Sequence, residues 1–224
     1  MKVLVYLEGK SDVDCMKTLF GSIAAEREKQ GVKISFHLLK IRGKTQTGKA
    51  SLINKGVGKA ATILASDPDA RVALVPDLYP KDQGGLHKTP EELFELIETK
   101  FRTEIENKKL SPREQELSSR FVSFCFKHDL EALLLAVPDR LAGRLGVNQD
   151  SFQGKWKEPV EDQNHDDPPK KVVERLFKDH KKKYHPIVDA PAILDGVSPS
   201  DLSESCPQCF KPLAEFIAQC DGRA

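Results

Sequence analysis

Four short apolar runs, each handing over within a few residues to a stretch of helical periodicity, constrain this 224-residue chain more than any other feature. KVLVYL, Lys2 to Leu7, is followed by EGKSD and an amphipathic stretch from Val13 to Gln30. VKISFHLLKI leads through RGKTQTGKAS into a helix-like segment, Leu52 to Ala65. RVALVPD leads into a Pro/Gly-rich loop and then TPEELFELIETKFRTEI, Thr89 to Ile105. In that last segment Thr89 suits an N-cap, Pro90 the first helical position, and Glu91 and Glu92 the positive end of the helix dipole. RFVSFCF then runs directly into HDLEALLLAV. Strands alternating with helices imply βαβ units and a mostly parallel sheet, Rossmann-like in plan, with its ligand site at the carboxyl ends of the strands.

Residues 1–137 read as this α/β core. From Pro138 to Pro169 the chain is polar and proline-containing, the best candidate for a mobile excursion or lid. A basic helix, Lys170 to Lys183, and short closing helices ending in PLAEFIAQC follow. Residues 138–224 are therefore expected as a loop excursion and C-terminal helices packed on the core, in one domain overall.

Acidic side chains stand just past the expected strand ends: Glu8, then Asp12 one helical turn on, Asp77, and Asp129 with Glu131. In a parallel sheet these ends share one edge, so the carboxylates converge. Carboxylates that close repel one another unless a hard cation sits among them, and Mg²⁺ takes oxygen ligands from a few carboxylates plus substrate phosphates. Any one of these acids alone reads as readily as a helix cap.

RGKTQTGKAS raises a competing possibility. Gly43, Gly48 and Lys49 match the spacing of a phosphate-cradling P-loop, but Ala50 stands where a hydroxyl for magnesium belongs. Between Gly31 and Ser66 there is no Asp or Glu, while Lys33, Lys40, Arg42, Lys44, Lys49, Lys55 and Lys59 all fall inside. This basic field on a chain of net charge +1 suits contact with a nucleic-acid backbone through Lys40, Arg42, Lys44 and Lys49, with a solvated loop as the plainer alternative. NTP binding by residues 43–50 remains the third reading.

VYLEGKSD resembles the opening motif of TOPRIM domains, especially the branch in OLD-family nucleases, and ALVPDLY resembles the strand bearing their second acidic motif. KHDLEALLLA, DDPPKKVVERL and SESCPQCFKPLAEFI resemble a bacterial and archaeal TOPRIM-like family of unknown function, often encoded beside AAA-type ATPases. The resemblance implies a TOPRIM-like α/β fold and a site for Mg²⁺ or Mn²⁺. It carries Glu8, Asp12 and Asp77 over as metal ligands, Glu8 also as general acid or base, His128 and Glu131 from the family's own motif, and Lys171 from its proline-lysine segment. Tyr79 replaces the second acid of the usual DxD pair, so Glu131 is expected to substitute as a ligand or the site to hold a single metal. The implied activity is a metal-dependent nuclease acting on nucleic acid, DNA favoured, with an AAA-type ATPase partner in defence or repair. The alternative is an inactive TOPRIM-like regulatory or nucleic-acid-binding subunit.

Cysteine usage bears on setting. Cys15, Cys125, Cys206, Cys209 and Cys220 are odd in number and scattered, as in a reduced cytoplasmic protein. Cys206 and Cys209 lack a second pair for zinc, and burial or capping at a helix start suits them better. Trp156 is expected to anchor the excursion. No apolar run approaches the roughly 20 residues that span a bilayer, so no membrane role is expected.

Overall fold

Val3, Val5 and Leu7 of the first strand, β1 (Lys2–Leu7), pack on one side of a sheet, while Tyr6 packs on the other. Period-two alternation thus gives β1 two buried faces, which is the requirement for the centre of a parallel sheet. In this computed structural model, which describes residues 1–79 and 85–220, β2 (Lys33–Ile41) and β4 (Ala70–Val75) flank β1 in parallel. A short β3 (Lys44–Gln46) runs antiparallel to β2, and β5 (Phe121–Ser123) runs parallel to β4. The order is β3-β2-β1-β4-β5. Residues 80–84, most of the Pro/Gly-rich loop expected after Asp77, lie outside the described residues.

Helices cover both faces. α2 (Lys49–Ser66), α3 (Pro90–Asn107) and α4 (Glu114–Ser118) share one core with Tyr6, Val72 and Leu74. α3 begins as its sequence dictates, with the Thr89 hydroxyl accepting from the Glu92 N–H and Pro90 at the first position. α1 (Lys10–Lys29) covers the other face together with α5 (Glu131–Leu135), α6 (Pro138–Leu145), α7 (Pro169–Asp179), α8 (Pro186–Leu194), α9 (Pro199–Ser205) and α10 (Phe210–Gln219). The α/β architecture with a mostly parallel sheet is the expected one.

Several local expectations are corrected. HDLEALLLAV does not form one helix: α5 stops at Leu135, and Pro138, which disfavours helical backbone before it, opens α6 instead. The stretch from Pro138 to Pro169 is not a loose lid. It contains α6, two 3-10 turns at Gln149–Phe152 and Val160–Asp162, and buried anchors at Phe152 and Val160. Trp156 packs on Phe152 with ring centroids 5.7 Å apart. Cys206 ends α9 rather than starting a helix, and its N–H donates to the Leu202 carbonyl. All five cysteines are buried thiols.

Candidate functional site

Because β1, β4 and β5 are adjacent, the residues leaving their carboxyl ends emerge side by side. The connections from β1 and β4 leave on opposite faces, which makes this edge a topological switch point. Glu8 follows β1 directly. β4 ends two residues short of Asp77, yet sheet pairing continues through a bridge between Asp77 and Phe126. The Asp77 N–H donates to Glu8 Oε1 at 2.8 Å, tying the first two acids together. Asp12, in the first turn of α1, accepts the Gly9 N–H at 2.8 Å, so it caps the helix as well as facing the site. Glu131, first residue of α5, accepts the Tyr184 hydroxyl at 3.1 Å. Asp129 accepts the Lys170 N–H through Oδ2 at 3.2 Å, while its buried Oδ1 lacks a hydrogen bond of ordinary geometry although the carboxylate faces the Glu131 backbone.

These acids hold protons more tightly than usual. Burial pushes the Glu8 carboxyl up to about 7, with Asp12 adding repulsion and Lys49 opposing it. Asp77 is raised well above its ordinary value by burial and then by Glu8, Asp12, Asp129 and Glu131. Burial, reinforced by Glu131, takes Asp129 to about 7, and burial also raises Asp12 and Glu131. Strain of this kind is relieved by a cation, a proton or a substrate donor. Among the described residues no three His, Cys, Asp or Glu side chains form a ready-made metal cluster. The all-oxygen donor set and the orphaned Asp129 oxygen nonetheless fit Mg²⁺, which takes one or two protein carboxylates and completes its shell with water and substrate phosphate.

Beside the acids opens a cavity of about 590 Å³ lined by Asp77, Tyr79, His128, Asp129, His165, Pro168 and Lys170. His128 is buried, its proton affinity lowered mainly by burial. Both its ring nitrogens lack a hydrogen bond of ordinary geometry, although they face the Glu161 and Gln163 backbone. Tyr79 stacks on both His128 and His165. Lys171 does not face the acids, contrary to its carry-over from the family motif: it is exposed and its Nζ donates to the Asp166 carbonyl at 3.2 Å. One residue of helical rotation puts Lys170 there instead, lowering the proton affinities of Asp12, Asp129 and Glu131.

RGKTQTGKAS is not a phosphate loop. Arg42 and Gly43, with φ of 47° and 77°, make the two-residue turn of a β-hairpin between β2 and β3, where both central positions need left-handed backbone. Lys40, Arg42 and Lys44 are exposed on this hairpin. Lys49 is not a surface contact for nucleic acid as expected, because only 1% of it is exposed. Its ammonium donates to the Leu78 carbonyl at 2.5 Å and lies 2.6 Å from His87 Nε2, and its charge favours ionised Glu8.

A family model described as Domain of unknown function (DUF4276) matches residues 7–218. The chain belongs to the DUF4276 family. The matched range includes both KHDLEALLLA and SESCPQCFKPLAEFI, which carried the sequence resemblance to a family of unknown function. No curated protein matches this DUF4276 chain. Among solved structures it is similar to the C-terminal region of the Burkholderia pseudomallei OLD protein, with a TM-score of 0.49, 11% identity and 96% of each chain covered. It is also similar to the C-terminal region of the Xanthomonas campestris pv. campestris OLD protein, at 0.43 and 10%, covering 96% of this chain and 95% of that one. Likeness at this level transfers no chemistry, which has to come from the residues of the DUF4276 chain itself. Among the described residues no helix is long and apolar enough to cross a membrane.

Sequence reasoning missed Tyr184, Lys170 and His165. Lys170 stands beside an equivalent lysine in a basic run, and Tyr184 lies in the irregular link between α7 and α8, so neither carries a signal in the sequence. His165 sits in an irregular loop and carries none.

Proposed function

We propose that this chain is a metal-dependent nuclease that hydrolyses a phosphodiester bond, with DNA the favoured substrate, working with a partner ATPase. The observation that supports it is the convergence of Glu8, Asp12, Asp77, Asp129 and Glu131 at one sheet edge, with proton affinities raised by burial and mutual repulsion. Mg²⁺ or Mn²⁺ bound by Glu8 and Asp77, with Asp12 and Glu131 close by, would polarise the scissile phosphate and acidify the attacking water. Burial raises Glu8 to about 7 while no cation is bound, so metal binding would displace its proton and hold it as a ligand. Lys170 offers positive charge to the phosphate across the cavity. Tyr184 fixes Glu131 through its hydroxyl. The ATPase partner rests on the sequence resemblance alone.

Incubation of purified protein with plasmid and Mn²⁺ or Mg²⁺ tests this reading. Nicking that needs the metal and disappears in Glu8→Gln supports it; nicking that persists in Glu8→Gln belongs to a contaminant or another site. The lack of a ready-made three-ligand cluster among the described residues favours a second reading, a binding-only subunit. That reading predicts no nicking with either metal and tight nucleic-acid or ATPase binding that survives Glu8→Gln.

The exposed hairpin supplies the backbone contacts. Changing Lys40, Arg42 and Lys44 together to Ala is expected to weaken binding across all sequences and to make the log affinity against log salt plot shallower by about 2 to 3 units. Thermal melting should be nearly unchanged, since these three side chains are exposed. An unchanged salt slope, measured by fluorescence anisotropy of a labelled oligonucleotide, would move the contact elsewhere.

A further inference from the structure

Three rings lie parallel along one wall of the cavity and run from the core to solvent. His128 is 3% exposed, and Tyr79 stacks on it with centroids 5.1 Å apart and an interplanar angle of 11°. His165 also stacks on Tyr79, at 5.5 Å and 4°. The His165 side chain is 60% exposed, with its Nε2 edge 3.4 Å from Asp166 Oδ1, so the ring face turned away from Tyr79 is left open to solvent. An exposed imidazole on a loop is ordinarily free to rotate, but this loop is pinned on both sides. The buried Gln163 side chain accepts the Lys157 N–H at 2.9 Å and donates to the Asp167 carbonyl at 2.8 Å. Arg175 grips both Asp167 carboxylate oxygens at 3.0 and 2.9 Å, and Asn164 turns the chain by accepting the Asp166 N–H at 3.1 Å.

We infer that the uncovered face of His165 is a base-stacking subsite, taking an unpaired nucleobase next to the phosphate held at Lys170 and the acids. Asp77, Asp129 and Lys170 line the same cavity as the stack, so a strand whose phosphate reaches the acids brings a neighbouring base to this wall. A paired base has both faces occupied by its own stack, so the subsite selects single-stranded or locally opened substrate. This deepens the nuclease reading and rests on it for the position of the phosphate. Base–aromatic stacking is indifferent to base identity, so the preference is for strandedness and not for sequence.

The test is a binding measurement in EDTA, with single-stranded DNA carrying one 2-aminopurine, on wild-type protein, His165→Ala and His165→Phe. Wild type is expected to quench the fluorescence of the base, His165→Ala to bind about tenfold more weakly without quenching, and His165→Phe to restore both. A duplex of the same sequence should show no difference among the three proteins. Equal binding by His165→Ala, or failure of His165→Phe to rescue it, overturns the subsite, the latter because charge or hydrogen bonding would then be the relevant property. Loss of the subsite alongside metal-dependent plasmid nicking leaves the nuclease reading intact. His165-dependent quenching with no metal-dependent cleavage of either plasmid or single-stranded DNA sinks the nuclease reading and keeps the subsite.

Discussion

Asp77→Asn is expected to remove metal-dependent nicking and, in metal-free buffer, to raise the melting temperature. The two effects share one cause. Asp77 sits where the fields of Glu8, Asp12, Asp129 and Glu131 add, and burial opposes its charge before any of them. Replacing the carboxylate by an amide keeps the backbone N–H that donates to Glu8 Oε1, so the strand-end geometry is retained. Rate should fall at least about a hundredfold, because even outer-shell partners of a metal are worth 10- to 100-fold. The sign of the pH effect follows from the raised proton affinities. Glu8 goes from the ordinary 4.5 to about 7 in the folded protein, so the fold binds its proton more tightly than the unfolded chain does. Its contribution to stability is complete below the ordinary value and is lost as pH rises through about 7. Metal-free wild type should therefore lose melting temperature from about pH 4.5 to 7, the variant less steeply, and Mn²⁺ should restore wild type alone. Calorimetry in EDTA and in Mn²⁺ checks all three; a variant that melts below wild type in EDTA at pH 8 would make Asp77 a structural residue.

The acidic edge was legible in the sequence because two local signals coincide there. Short apolar runs mark strand ends, and parallel topology sends those ends the same way, so Glu8 and Asp77 could be placed together without knowing a single contact. Phase within segments was harder. Lys170 and Lys171 are indistinguishable in a basic run, and only the packing of Val172, Val173 and Leu176 fixes which one turns toward the acids. Lys49 misled for the opposite reason: glycine spacing and charge suggested an exposed loop, whereas tertiary contacts with Leu78 and His87 draw the ammonium inside. Polar composition likewise suggested a lid between Pro138 and Pro169, since composition records average burial and not the few anchors that dock a segment.

Glu161 is the strongest of those anchors, and Glu161→Ala is expected to be among the most destabilising single changes in the chain. The residue is 3% exposed in the turn Val160–Asp162, yet its carboxylate reaches across to the start of α10. Oε2 accepts the Gln208 N–H at 2.6 Å, and Oε1 accepts those of Cys209 and Phe210 at 2.8 and 3.3 Å. A helix start leaves such donors without intrahelical partners, and a carboxylate there also meets the positive end of the helix dipole. Truncation strands three N–H groups, at a cost of about 3–5 kcal/mol. For a domain of this length that corresponds to a drop of about 6–20 °C in melting temperature. Glu161→Gln keeps the shape and one acceptor oxygen, so it should recover part of the loss but turn an amide N–H₂ toward a backbone donor. The consequence reaches the site, because residues 163–170 follow directly and carry both His165 and Lys170. Limited proteolysis should open first in this segment in the Ala variant, before global unfolding. A melting shift below about 3 °C, or cleavage beginning elsewhere, would mean that α10 is held by its apolar face alone and that the cavity wall does not depend on this carboxylate.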